Sequence, residues 1–130
     1  MKALDTNLLA RLLLGDDAAQ LNRVKSLLAL DESYTAPVTV MLELVWVLES
    51  YDCTREEIFR GLNLLLGLEN FRPMQDVEIR RSLVLYESGM DFADALHLSL
   101  SRDAEQLLTF DKAFIKIARK KGLSEFVAPA

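Results

Sequence analysis

An α/β fold built on a mainly parallel sheet with helices on both faces is what this sequence predicts, and three observations carry the prediction. Short apolar runs alternate with helix-length periodic segments along the whole chain. Two of those runs, Lys2-Ala3-Leu4-Asp5 and Glu105-Gln106-Leu107-Leu108-Thr109-Phe110-Asp111, end in an acid and lead into a helix. No internal repeat, linker or low-complexity segment interrupts the 130 residues, so residues 1–130 are expected to form one domain with a real core.

In order, the first strand at residues 2–5 is followed by Thr6-Asn7 and a helix over Leu8 to Leu14, closed at Gly15. Asp5 then stands at the C-terminal end of a strand, where open parallel sheets build sites. It equally suits the N-cap of the next helix, a role open to Thr6 or Asn7 as well. Asp17 to Leu30 reads as a second helix with Leu21, Val24, Leu27 and Leu28 on its core face. Tyr34-Thr35-Ala36 is a second strand stopped at Pro37. In the run Val38 to Leu48 only Thr39 and Glu43 are polar, which predicts a helix buried nearly all round with Trp46 in the core. Ionised and unpaired, Glu43 would be costly there, so it calls for an arginine partner, an edge position that reaches water, a raised pKa or a metal.

Thr54-Arg55-Glu56-Glu57 fits a capping box opening a helix to Leu66, ended by Gly67, and Cys53 reads as a small filler at its start. Phe71 to Met74 is a candidate third strand, placed at an edge by its proline. Helices follow over Asp76 to Ser88, up to Gly89, and over Asp91 to Ser101. The strand ending at Asp111 leads into a helix over Lys112 to Lys121, ended by Gly122, and Glu125-Phe126-Val127 is a last short strand.

Composition narrows the function classes. Hydrophobic residues make up 51 % of the chain, which argues against disorder. No apolar run approaches the ~18–20 residues of a membrane span, and the N-terminus shows no secretory h-region. The single cysteine excludes an intramolecular disulfide and a cysteine metal cluster. A cytoplasmic globular protein is expected. The net charge of −5, from 15 basic and 20 acidic residues, disfavours nucleic-acid binding by the whole surface. The basic residues Lys112, Lys116, Arg119 and Lys120 nonetheless share one face of the late helix, either as a solvated face near a helix C-terminus or as a phosphate-contacting patch.

The stretch Met90 to Leu98 concentrates the chemistry. As a helix it puts Phe92, Ala95, Leu96, Ser99 and Leu100 on one face and brings Asp91 and Asp94, three residues apart, together on another. Neighbouring carboxylates repel, and a metal ion relieves that repulsion; the helix dipole also favours acids in a first turn. With Asp5, Glu43 and Asp111 these residues offer an all-oxygen donor set suited to Mg²⁺ or Mn²⁺. A cation of that kind points to phosphodiester hydrolysis.

Four blocks in order now carry a resemblance: Leu4-Asp5-Thr6-Asn7, Glu43-Leu44-Val45-Trp46-Val47-Leu48, Asp91-Phe92-Ala93-Asp94-Ala95-Leu96-His97, and Leu108-Thr109-Phe110-Asp111-Lys112-Ala113-Phe114. The sequence resembles the PIN-domain ribonucleases, especially the VapC toxins of bacterial and archaeal toxin–antitoxin pairs. The resemblance implies a three-layer α/β/α fold and a metal-dependent endoribonuclease. It implies that Asp5, Glu43, Asp94 and Asp111 hold Mg²⁺ or Mn²⁺ and orient an attacking water. Asp91 then serves as a further ligand or as support, and Thr6, Asn7 and Thr109 support the pocket by hydrogen bonds. His97 is expected to be a helix-surface or packing residue rather than a general base. The resemblance also implies an RNA substrate such as transfer or ribosomal RNA, a homodimer, and a VapB-like antitoxin that blocks the acidic pocket. Two alternatives remain. A haloacid-dehalogenase-like phosphatase would use Asp5 as nucleophile, but its usual second Asp is replaced here by Asn7; a non-catalytic module would keep the fold and bind RNA or protein.

Overall fold

The computed structural model describes residues 1–130. The chain packs as two compact units, Met1–Asp76 and Val77–Ala130. The fold is α/β and predominantly helical, and every strand pair in it is parallel, as expected.

In the first unit β1 (Lys2–Ala3) leads into α1 (Thr6–Leu14), which begins two residues earlier than the periodicity suggests because Asp5 takes the N-cap. Gly15 closes α1 in the left-handed region at φ 62°, with its N–H donating to the Arg11 carbonyl. α2 (Ala18–Leu28) is capped by Asp17; it buries Val24 and leaves Leu21, Leu27 and Leu28 half-buried. β2 (Tyr34–Thr35) pairs in parallel with β1, Lys2 opposite Tyr34 and Ala3 opposite Thr35. The segment expected to form a third strand makes a single parallel bridge, Phe71 to Tyr34. Backbone bonds run from Tyr34 N–H to the Asn70 carbonyl, from Arg72 N–H to the Tyr34 carbonyl and from Met74 N–H to the Ala36 carbonyl, with Pro73 turned away from β2 between the last two donors.

α3 (Val38–Ser50) corrects the expectation of a helix buried all round. Val40, Met41, Leu44, Val45 and Leu48 form its buried face, whereas Thr39, Glu43 and Trp46, spaced four and three apart, form an exposed stripe. Trp46 is 51 % exposed and is not a core residue. α3 packs on α1 and on α4 (Arg55–Leu66). The capping box at the start of α4 is present: Thr54 N–H donates to Glu57 Oε1 at 2.8 Å and Glu57 N–H to Thr54 Oγ1 at 3.1 Å. Cys53 sits half-buried just before it, its thiol pushed up by burial and by the nearby Glu57 and Asp52.

In the second unit α5 (Asp76–Glu87) buries Ile79, Ser82, Leu83 and Tyr86 but exposes Val77 and Val84. Tyr86 meets Phe92 of α6 (Phe92–Leu100) edge-on, with ring centroids 5.6 Å apart. The Ser82 hydroxyl reaches the Glu78 carbonyl at 2.7 Å and the Ala95 carbonyl of α6 at 3.2 Å. α6 buries Phe92, Ala95, Leu96 and Ser99 as its spacing predicts, with Leu100 left exposed. β3 (Leu107–Thr109) pairs in parallel with β4 (Val127–Pro129), which lies two residues beyond its predicted start. Between them α7 (Lys112–Lys120) buries Phe114 and Ala118 in a cluster with Met90, Ala95, Leu98 and Val127. No helix is long and apolar enough to cross a membrane.

Candidate functional site

Three of the five acids singled out from sequence are helix N-caps. Asp5, with extended backbone at φ −88° and ψ 165°, accepts the Thr6 N–H on Oδ1 at 2.7 Å. Asp91 accepts the Asp94 N–H on Oδ2 at 3.1 Å and starts α6. Asp111 accepts the Phe114 N–H on Oδ1 at 3.0 Å and starts α7. A short side chain next to an extended backbone is what capping needs, and the orphan N–H groups of the first turn supply the donors. Each cap uses one carboxylate oxygen. The other oxygen accepts nothing from the protein, and all three residues are exposed. Both readings offered for Asp5 thus describe one residue: it caps α1 and stands just past β1.

Asp94 differs from these three. It lies in the first turn of α6, half-buried. Burial pushes its carboxyl above the usual carboxylate range, and the negative charges of Asp91 and Asp111 push it further, with His97 opposing them. The second unit therefore brings Asp91, Asp94 and Asp111 close enough for each charge to be felt at Asp94. His97 is exposed on α6, the surface position of the two readings open to it. Thr109 is half-buried, and its Oγ1 accepts the Asp111 N–H at 3.0 Å, which fixes the backbone that presents Asp111.

In the first unit, Asp5 begins α1 and Glu43 lies in the middle of α3, the helix packed on it. Of the readings open to Glu43, the structure gives the edge position: the side chain is exposed, and no arginine pairs with it. Thr6 is buried, and its Oγ1 has no hydrogen-bond partner in the protein, an uncommon state for a buried hydroxyl. Asn7 is exposed and lines a cavity of about 360 Å³ with Arg11, Gln20 and Arg23. On α7 the exposed Lys112, Lys116, Arg119 and Lys120 have no carboxylate partner, so their charge is available to an outside anion.

Comparison with family models decides what kind of chain this is: the model of the PIN domain matches residues 2–120. The chain belongs to the PIN domain family. The match runs through both compact units and takes in all five acids. A search of curated proteins gives no match to the chain. PIN domains are typically nucleases that act on nucleic acids with divalent metal ions, and with the family shown the phosphatase reading of Asp5 falls away.

The donor chemistry of this PIN domain fits such an ion. Carboxylate oxygens are the hard ligands that Mg²⁺ and Mn²⁺ take, and Asp94 sits in a negative field that a cation relieves. The side chains of the protein alone do not close into a cluster of three or more ligands, yet Mg²⁺ commonly keeps several waters and takes only one or two carboxylates directly. Sequence reasoning overlooked Phe110. It stands next to Asp111 with 86 % of its surface exposed, and an aromatic residue between a strand and an acidic N-cap was the available signal.

Proposed function

We propose that this PIN domain is a metal-dependent endoribonuclease of the VapC toxin kind, with Asp5, Glu43, Asp94 and Asp111 as its functional acids and Asp91 as a further ligand or support. The observation that carries the reading is the crowding of carboxylates around half-buried Asp94, whose shift has burial and the charges of Asp91 and Asp111 as its causes. Such crowding is unfavourable without a cation, and the match over residues 2–120 supplies the class of chemistry.

When bound, Mg²⁺ or Mn²⁺ supplies positive charge against a phosphoryl oxygen and makes water easier to deprotonate. The protein's own part is positioning. The capping bonds hold one oxygen of Asp5, Asp91 and Asp111 and leave the other available. Thr109 fixes the Asp111 backbone through its Oγ1. Thr6 holds Asp5 through its backbone N–H, while its own hydroxyl is buried away from solvent, and the exposed Asn7 amide follows it in α1. Lys112, Lys116, Arg119 and Lys120 hold the RNA backbone, and single-stranded loops of transfer or ribosomal RNA are the substrate class.

In this reading the protein works in the cytoplasm as a homodimer, held inactive by a VapB-like antitoxin. An apolar cavity of about 450 Å³ lined by Leu12, Leu13, Leu28, Leu64 and Leu68 supports such a partner, since it offers a seat for an apolar antitoxin segment. Exposed Val77 and Val84, two turns apart on α5, support contact with a second copy.

The test is cleavage of total cellular RNA by purified protein with Mg²⁺ or Mn²⁺, against EDTA, beside the Asp94→Asn variant. Discrete fragments that require both metal and Asp94 are expected. Cleavage by Asp94→Asn at the parent rate would refute the assignment of the site.

A further inference from the structure

Phe110 is the most exposed large hydrophobic residue of the chain, at 86 %, and its place in the fold makes that exposure informative. It directly precedes the N-cap of α7, the position from which an apolar residue usually packs against the fourth helical residue as a hydrophobic staple. The fourth residue here is Ile115, which is half-buried against the cluster of Met90, Phe114 and Ala118. With only 14 % of its surface covered, Phe110 does not form that staple. Strand alternation gives the same result: Leu107 and Thr109 are half-buried while Leu108 and Phe110 face out.

The surroundings of this free ring are polar and charged. Asp111 follows it, and Lys112, Lys116 and Lys120 rise from it at four-residue spacing along about 12 Å of helix. A bare aromatic face beside unpaired cations is the combination that binds single-stranded nucleic acid, the cations following the backbone and the ring stacking on a base. A two-fold contact between copies centred on Phe110 would instead bring two α7 cation faces together, and like charges oppose it.

We propose that Phe110 is a base-stacking platform that seats one unpaired base of the substrate beside Asp111. The inference rests on the nuclease reading above and extends it, because it names a binding residue and requires the nucleotide there to be unstacked. Stacking is tolerant of base identity, so Phe110 contributes affinity and position rather than sequence choice.

Two measurements test this. In metal-dependent cleavage of RNA, Phe110→Ala is expected to raise KM by about 5- to 150-fold with kcat much less changed, and Phe110→Tyr to restore it. Full cleavage by the parent with an unaltered KM for Phe110→Ala would overturn this inference and leave the nuclease reading standing. The second needs no turnover. A chain carrying Phe110→Trp, Trp46→Phe and Asp94→Asn has its only indole at the platform, and a short mixed-sequence RNA with Mg²⁺ is expected to quench it, while the same backbone without bases is not. Binding of the RNA, followed by the anisotropy of a labelled strand, without any change at the indole would overturn the proposal. So would a fluorescence change that follows protein concentration instead of RNA, which would assign the ring to contact between copies.

Discussion

Replacing Asp111 by alanine and by asparagine separates capping from chemistry at one position. The Oδ1 of Asp111 accepts the Phe114 N–H at 3.0 Å, and Phe114 is one of the two residues through which α7 enters the core. Alanine removes that acceptor, at a cost of about 1 kcal/mol within a range of about 0.5–2. For a chain of this length, 130 residues, such a loss lowers Tm by roughly 3–5 °C. Asparagine keeps the acceptor and ranks with aspartate as a cap. It gives up the attraction of a carboxylate to the helix N-terminus, about 0.3–1 kcal/mol, but also removes a negative charge felt at Asp94. Its Tm is therefore expected within about 2 °C of the parent.

Activity divides the variants differently. Both lack the carboxylate, so both are expected to lose metal-dependent cleavage of RNA. The assays are thermal melts followed by circular dichroism and RNA cleavage with Mg²⁺ on the same preparations. If asparagine melts as low as alanine, the capping bond is not what holds the start of α7. If asparagine cleaves at the parent rate, the Asp111 carboxylate takes no part in the chemistry.

Trp46→Ala is expected to cost well under the roughly 3–5 kcal/mol of a core Trp→Ala change, because the indole is 51 % exposed; urea unfolding measures it, and a loss in the core range would refute the placement. The carboxyl of Glu57 is held below the usual carboxylate range by the Thr54 N–H and then by its hydroxyl. A depressed folded value means that this stabilisation is present above the unfolded value and lost as pH falls through the folded one. The Tm of the parent should accordingly drop more steeply on acidification than that of Glu57→Gln, and parallel curves would count against the capping box as a source of pH dependence.

Wherever a local rule decided an element, the sequence revealed it. The Thr54–Glu57 box, the left-handed Gly15 and the Phe92–Ala95–Leu96–Ser99 face are all where spacing and capping chemistry put them. The two acid-ended runs are parallel strands followed by helices. Departures arose where composition stood in for periodicity. The Val38 to Leu48 run contains so many apolar residues that its exposed stripe of Thr39, Glu43 and Trp46 is masked, although the four- and three-residue steps are present. Phe71 to Met74 has strand-like composition but forms a single bridge to Tyr34, with Arg72 and Met74 still donating to the Tyr34 and Ala36 carbonyls. The nearness of Asp91 to Asp94 was legible in their three-residue spacing, and the second unit adds the charge of Asp111 at Asp94. The solvent exposure of Phe110 was not legible, because burial depends on which neighbouring element covers a residue, and a linear pattern does not contain that.

Capping and a place in a functional site look like competing roles when each acid is read alone, and the geometry shows why they are compatible. A carboxylate has two oxygens, and at Asp5, Asp91 and Asp111 the cap takes one. The capping bond also does something for the second oxygen, since it fixes the side-chain rotamer and thereby the direction of the remaining lone pairs. The same bonds ease an electrostatic difficulty. Neighbouring acids repel one another, and in the second unit the positive ends of α6 and α7 offset part of that repulsion at Asp91 and Asp111. Asp94 lacks the extended cap position, since its own N–H is the donor that Asp91 accepts. It is also the half-buried member of the set and the one whose carboxyl is pushed upward. The least compensated of these charges is therefore the one with most to gain from a bound cation, which is why Asp94→Asn is the sharper first test of the site than any of the capping acids.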